Sequence, residues 1–183
     1  MAVKKALLVI DMQNDLCHDD RRKEKVAAII KPLTGIIHMF HEHRQPIFYI
    51  CFALAKGDEQ FKRFGDVYCI DGTPGARIIN ELHPLCGEVI KKRKHSAFFE
   101  TDLDNRLVSA GVREVFLTGL QTHICIMTTA ADASFRGYRT VAVSDCVVSS
   151  RDPTKRQALN WIKKYVGEVI TARQVRNEFA YIR

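Results

Sequence analysis

The chain has 183 residues, 46% of them hydrophobic, and a formal charge of +7. That length suits one compact domain over residues 1–183 with a sizeable core. No apolar run reaches the length of a membrane span, so a membrane-embedded role is excluded.

The positive charge invites a nucleic-acid reading. Its basic residues, however, fall in short clusters: Arg21-Arg22-Lys23, Lys91 to Lys94 and Lys163-Lys164. Aromatic residues do not interleave with them along one stripe, as single-strand binding would favour. A solvated surface with some anion preference fits better, and a basic mouth would attract an anionic small molecule. No nucleic-acid partner is expected. The six cysteines, Cys17, Cys51, Cys69, Cys86, Cys125 and Cys146, show no C-x-x-C and no zinc-ligand pairing. They read as free thiols of a reducing compartment. Met1 to Lys5 leads directly into a strand-like run without an h-region or cleavage site, so a cytoplasmic protein is expected.

Ala6 to Ile10 is an unbroken apolar run ending at Asp11. Such a run suggests a strand covered on both faces, and hence a parallel sheet. Asp11 to Asp15 follows as a polar loop at the strand's carboxyl end, the edge where open α/β sheets bind ligands. From about Arg22 to His43 the apolar spacing is helical, with Pro32 as an expected irregularity. Pro46 introduces a second strand, Ile47 to Phe52. The glycine-rich Lys56 to Gly75 reads as a long loop over the sheet edge. Ala76 to Leu82 reads as a short helix, and Glu88 to Ile90 as a third strand ending in Lys91-Lys92. Asp102 to Ala110 is helical, and Glu114 to Leu117 is the fourth strand.

Thr-Gly then gives way to a helix from Thr122 that ends at Gly137. Thr140 to Val143 is a fifth strand, followed by Asp145. Thr154 to Val166 is a helix with Ala158, Trp161, Ile162 and Tyr165 inward. Glu168 to Thr171 is a sixth strand, and Ala172 to Tyr181 a closing helix. Alternating strands and helices give an α/β fold: a doubly wound, mostly parallel six-stranded sheet with helices on both faces.

Cys125 falls near a strand-to-helix junction, where outward N–H groups and the helix dipole favour a thiolate and lower the thiol pKa. A small apolar cysteine buried in a first turn is the competing reading. Asp11, Lys92 and Cys125 follow the ends of the first, third and fourth strands, and in a parallel sheet those ends share one edge. A thiolate nucleophile needs a proton acceptor, which Asp11 can supply. A lysine ammonium would hold both anions. That joint placement favours a functional site over three bland residues.

Here the sequence resembles a family. Val9-Ile10-Asp11-Met12-Gln13-Asn14-Asp15 is similar to the amino-terminal motif of the isochorismatase-like cysteine hydrolases. Gly72-Thr73-Pro74-Gly75-Ala76, Lys92 to Leu103 with its Ser96-Ala97-Phe98-Phe99 core, and Gly119 to Ala133 match further blocks in the same order. The resemblance implies the Rossmann-like fold of that family. It makes Cys125 the nucleophile, Asp11 the general base and acid, and Lys92 the third member of the triad. A cis peptide at Leu120-Gln121 would aim the Gln121 N–H inwards, to form an oxyanion hole with the Cys125 N–H. The implied reaction is hydrolysis of a C–N bond in a small amide or N-carbamoyl compound through a thioester, with no redox cofactor. N-carbamoylsarcosine amidase-like activity is the first choice, nicotinamidase-like activity the second, and a catalytically silent binding or scaffold member the third. Family members commonly assemble as homo-oligomers.

Three features separate the subgroups. Isochorismatases proper lack the nucleophilic cysteine, so Cys125 favours C–N hydrolysis. Nicotinamidases carry an Asp and several His after the second strand that bind a divalent metal. Between Phe52 and Asp71 this chain has Asp58 and Asp66 but no His, so no metal is expected. His95 replaces the Tyr usual before Ser-Ala-Phe, and reads as a surface or supporting residue. Arg151 is the candidate for a substrate carboxylate, with Gln13 and Phe52 as further pocket candidates. Packing is the alternative role of Phe52, and solvent exposure that of Arg151. Cys17 reads as a structural thiol. His38, His41 and His43 read as scattered surface residues, because His43 leaves the helix face that the other two share.

Overall fold

A computed structural model describes residues 3–58, 68–82 and 86–180. Six strands lie side by side in the order β3 (Glu88–Lys92), β2 (Ile47–Phe52), β1 (Lys4–Ile10), β4 (Val112–Leu120), β5 (Arg139–Val148) and β6 (Glu168–Ile170). Every neighbouring pair is parallel. The chain winds outward from β1 to β3, then returns to place β4 on the other side of β1. That reversal opens a crevice at the carboxyl ends of β1 and β4, the position where doubly wound sheets hold ligands.

The central strands are as apolar as a sheet covered on both faces demands. Ala6 to Ile10, Ile47 to Phe52 and Val115 to Leu117 are all buried. Helices α1 (Asn14–Cys17) and α2 (Lys23–Glu42) follow β1. Next come α3 (Leu103–Ser109), α4 (Met127–Phe135), α5 (Asp152–Tyr165) and α6 (Ala172–Ala180). α2 and α6 pack together on one face of the sheet, and α4 and α5 on the other. Phe40 links the first pair by edge-on ring contacts with Phe116 of β4 and Phe179 of α6. No helix among the described residues is long and apolar enough to cross a membrane. All six cysteines are free thiols.

Two glycines are dictated by close approach. Gly119 has φ +100°, and a Cβ there would stand 2.0 Å from the Ile10 carbonyl oxygen. β1 and β4 can therefore meet directly beneath Asp11 only with glycine at this point. At Gly75 a Cβ would meet the Asp15 carboxylate at 2.1 Å. Asp15 in turn accepts a hydrogen bond from the Cys69 N–H, which ties the loop after β2 to the loop after β1.

Several expected elements differ from the observed ones. Pro32 does not interrupt α2, which runs through it for 20 residues. The expected helix at 76–82 is two separate 3-10 turns, Pro74–Ala76 and Asn80–Leu82, with Ile78 paired to Gln13 between them. Backbone bonds from Asn14 N–H to the Arg77 carbonyl and from Ile79 N–H to the Met12 carbonyl hold that stretch extended. β5 continues past Val143 to Val148 after a register shift against β4. Asp145 therefore lies within the strand, where it accepts the Ala172 N–H and caps α6. Tyr165 points outward rather than inward, at 61% exposure, because α5 ends there. Asp66 and Tyr181 lie outside the described residues.

Candidate active site

Asp11 is the first residue beyond β1. Its backbone has φ +56°, uncommon for a side chain with a Cβ, and its N–H bonds the Ile50 carbonyl of β2 at 2.8 Å. The side chain is 1% exposed, and Oδ1 has no hydrogen-bond partner among the described residues. Lys92 arrives from β3 by simple alternation. Ile90 and Lys92 face inward, while Val89 and Lys91 face out. The sequence reading placed Lys92 past the strand; it is the strand's last residue, paired in register with Phe52.

Buried lysines require compensation. Lys92 Nζ lies 3.0 Å from Asp11 Oδ2, 3.4 Å from Cys125 Sγ, and 3.2 Å from the carbonyls of both Lys94 and His95. It also sits 3.4 Å from the centre of the Phe52 ring, a cation–π contact in a dry setting. Asp11, Lys92 and Cys125, distant in sequence, thus meet around a single ammonium group.

Cys125 is carried by a wide π turn, Thr122–Ile126, that precedes α4. Single π turns of this kind recur at functional sites. The preceding Leu120–Gln121 peptide is cis. The expected depression of the Cys125 pKa is not what this environment produces. Burial pushes the thiol well up, the Asp11 charge adds to the rise, and Lys92 opposes both. Desolvation by the surrounding fold outweighs the dipole of the local turn. Burial likewise raises the Asp11 carboxyl, against the pull of Lys92. For Lys92, burial lowers the pKa, but Asp11 and Cys125 together outweigh it and the ammonium is held. Burial thus opposes charge on the thiol and on the carboxyl, while their pull on Lys92 favours its ammonium form.

A cavity of about 560 Å³ opens above the sulfur. Phe52 and His95 form part of its wall, and Arg21, Arg22 and Arg151 line it as well. Arg151 is exposed at the start of α5. Arg22 is 5% exposed, and its guanidinium bonds the Leu16 carbonyl at 3.0 Å, Ser150 Oγ at 3.3 Å and Asp19 at 3.2 Å. Asp19 is held down to about 2, chiefly by its hydrogen bonds from Arg21. Ser150 Oγ reaches Gln121 Oε1 at 3.5 Å, so Arg22 connects to the turn that carries the cysteine.

Gln13 takes a different place from the one expected. Its amide bonds the Phe52 N–H and carbonyl at 2.8 Å and the Ala76 carbonyl at 2.7 Å, and the residue is fully buried outside the cavity lining. It buttresses Phe52 from behind. His95, read as a surface or supporting residue, instead brings Nδ1 to 3.8 Å from Cys125 Sγ. Arg21, Arg22 and His123 were not singled out as site residues, although all three border the cavity. The sequence signals for His95 were its replacement of the Tyr usual before Ser96-Ala97-Phe98 and its place three residues after Lys92. For Arg22 there was none beyond its position at the entry to a helix.

No group of three His, Cys, Asp or Glu side chains that could hold a metal occurs among the described residues. Asp58, after β2, is instead paired with Arg93 at 2.7 Å. Members of two of the basic clusters are similarly paired: Arg21 and Arg22 with Asp19, Lys23 with Asp20, and Lys91 with Asp71.

The doubly wound sheet brings a carboxyl, an amine and a thiol side chain together at its switch point. The chain belongs to the isochorismatase family, whose isochorismatase domain model matches residues 5–174. It is 30% identical to an isochorismatase-like hydrolase from Alkaliphilus metalliredigens, with a TM-score of 0.87 over 97% of this chain and 100% of that one. It is also 30% identical to N-carbamoylsarcosine amidase from Thermoplasma acidophilum, with a TM-score of 0.84 over 93% and 97%. Nicotinamidase 3 of Arabidopsis thaliana is 30% identical over 79% of this chain and 73% of its own length.

Proposed function

We propose that the protein hydrolyses the C–N bond of a small amide or N-carbamoyl compound through a thioester on Cys125. The observation that carries this reading is the contact of one buried ammonium with both Asp11 Oδ2, at 3.0 Å, and Cys125 Sγ, at 3.4 Å, beneath an open cavity. Asp11 takes the thiol proton as the sulfur attacks the carbonyl carbon. The N–H groups of Gln121 and Cys125 receive the oxyanion. Protonated Asp11 then gives its proton to the leaving nitrogen, and the C–N bond breaks. A water molecule loses a proton to Asp11 and attacks the thioester. Cleavage of the C–S bond and return of the proton to sulfur restore the enzyme.

Among amides, an N-carbamoyl compound bearing a carboxylate is favoured over a neutral ring amide. The support is the arginine-lined mouth and the likeness to N-carbamoylsarcosine amidase. Nicotinamidase-like activity is the second reading, supported by the likeness to nicotinamidase 3. A homo-oligomer is part of the proposal. Exposed Val108, Phe135 and Tyr165 are consistent with it, and light scattering tests it.

The experiment is ammonia release from N-carbamoyl amino acids, nicotinamide and small aliphatic amides by wild type and Cys125→Ala. Turnover of at least one compound by wild type, with none by the variant, is expected. Retained turnover in Cys125→Ala overturns the covalent mechanism.

A further inference from the structure

We propose that His95 is a fourth catalytic group, donating a hydrogen bond from Nδ1 to the Cys125 sulfur once the thiol proton has moved to Asp11. The inference rests on the thioester reading of the site and adds a participant to it. Nδ1 stands 3.8 Å from Sγ, on the cavity side of the triad, and is the imidazole nitrogen that faces the sulfur.

The ring is held there from both ends of its short loop. Before it, Lys92 Nζ bonds the His95 carbonyl at 3.2 Å. After it, Ser96 Oγ bonds Asp132, and the Ala97 N–H bonds Thr129 Oγ1 at 3.0 Å, both on α4. Phe52 meets the imidazole edge-on, with centroids 6.0 Å apart and planes at 84°. These constraints fix the imidazole against the same aromatic ring that supports the Lys92 ammonium.

The charge state fits a neutral donor. Burial lowers the His95 pKa below its ordinary value, and Lys92 and Lys94 lower it further. A second full positive charge next to Lys92 is thereby avoided. Among the described residues, the titratable groups near the imidazole include Lys92, Lys94 and Cys125.

The proton count is simple. The thiol proton goes to Asp11, the sulfur becomes a thiolate, and His95 keeps its own proton while sharing it with the sulfur. His95 carries that proton on Nδ1 throughout, so no proton enters or leaves the imidazole. Lys92 and His95 then form two donors to one sulfur anion. The same two donors stabilise the sulfur as it leaves during thioester hydrolysis.

The test is the pH dependence of Cys125 alkylation by iodoacetamide, read by peptide mass spectrometry on the full chain. Three proteins are compared: wild type, His95→Phe and His95→Asn. Phenylalanine keeps a flat ring against Phe52 and lacks the donor. Asparagine places an amide N–H at the position of Nδ1. His95→Phe is expected to shift the alkylation midpoint upward by about one pH unit and to slow the reaction about tenfold at neutral pH. His95→Asn is expected to stay within about threefold of wild type. Coincident profiles for wild type and His95→Phe overturn the proposal, as does an asparagine variant as impaired as the phenylalanine one. Circular dichroism and thermal melting of each variant identify any loss of fold. If Cys125→Ala retains turnover, the thioester reading itself fails; if it loses turnover and the profiles coincide, only the role of His95 fails.

Discussion

Lys92 and Asp11 form an ion pair of 3.0 Å in which neither side chain is more than 1% exposed. Removing one member of such a pair leaves an uncompensated buried charge, at a cost of about 3–5 kcal/mol. Lys92→Met is therefore expected to lose hydrolysis and to destabilise the fold by about that amount near neutral pH. The Asp11 carboxyl is already raised by burial, with Lys92 opposing. Without Lys92 its folded pKa rises further above the unfolded value. A raised folded pKa favours folding below the unfolded pKa, and that support is lost as pH rises through the folded one. The variant should consequently recover much of its stability as pH is lowered towards the ordinary carboxylate range. Urea denaturation of variant and wild type across that range measures it, and a pH-independent difference would contradict the assignment.

The acid side of the rate profile follows from the same carboxyl. Asp11 acts as a base only when ionised, so kcat/KM must rise as pH passes through its raised pKa. The limb should lie at higher pH than an ordinary carboxylate, whose value is about 3.9. Asp11→Asn should abolish turnover, and with it the carboxylate-dependent limb in Cys125 alkylation. Steady-state rates over the acid range, with enzyme stability checked at each pH, test the placement of the limb.

Gly119 makes a different kind of prediction, because it controls spacing rather than charge. Alanine there brings a Cβ within 2.0 Å of the Ile10 carbonyl and must also hold φ +100°. The clash is with backbone, which cannot swing aside as a side chain can. Gly119→Ala should cost about 3 kcal/mol or more and separate Asp11 from Cys125. Thermal melting and Cys125 alkylation should both be affected. Gly137→Ala, at φ +84° but with nothing within 4 Å, should be much milder in both assays.

Much of this site could be read from the chain because strand ends converge in a parallel sheet. The runs Ala6 to Ile10 and Glu114 to Leu117 identified β1 and β4, and the order of elements brought Lys92 to the same rim. The choice of Lys92 over Lys91 came from the family resemblance, and the alternation along β3 shows Lys92 facing inward. What escaped depended on contacts remote in sequence. His95 is set by the bond between Ser96 and Asp132, 36 residues away. Gln13 was a pocket candidate, yet β2 and the Pro74–Ala76 turn occupy all its polar atoms. The Cys125 pKa ran opposite to the dipole argument because desolvation by the whole fold outweighs one turn of helix.

The arginines of the mouth separate substrate recognition from structure. Arg151 is exposed and lines the cavity, whereas Arg22 is buried and already bonds Leu16, Ser150 and Asp19. A carboxylate-bearing substrate would gain charge-assisted hydrogen bonds from Arg151 that a neutral amide could not. Arg151→Met should therefore raise KM about tenfold to hundredfold for an N-carbamoyl amino acid, with little change in kcat or in KM for a neutral amide. Arg22→Met leaves the Leu16 carbonyl and Asp19 without their guanidinium, which should lower stability by about 1–3 kcal/mol. It should also reduce turnover of charged and neutral substrates alike, since Ser150 and Gln121 lose their anchor. Steady-state kinetics with one charged and one neutral substrate distinguish the two roles. If Arg151→Met impaired both substrates equally, Arg151 would be a structural residue of the mouth rather than the carboxylate contact.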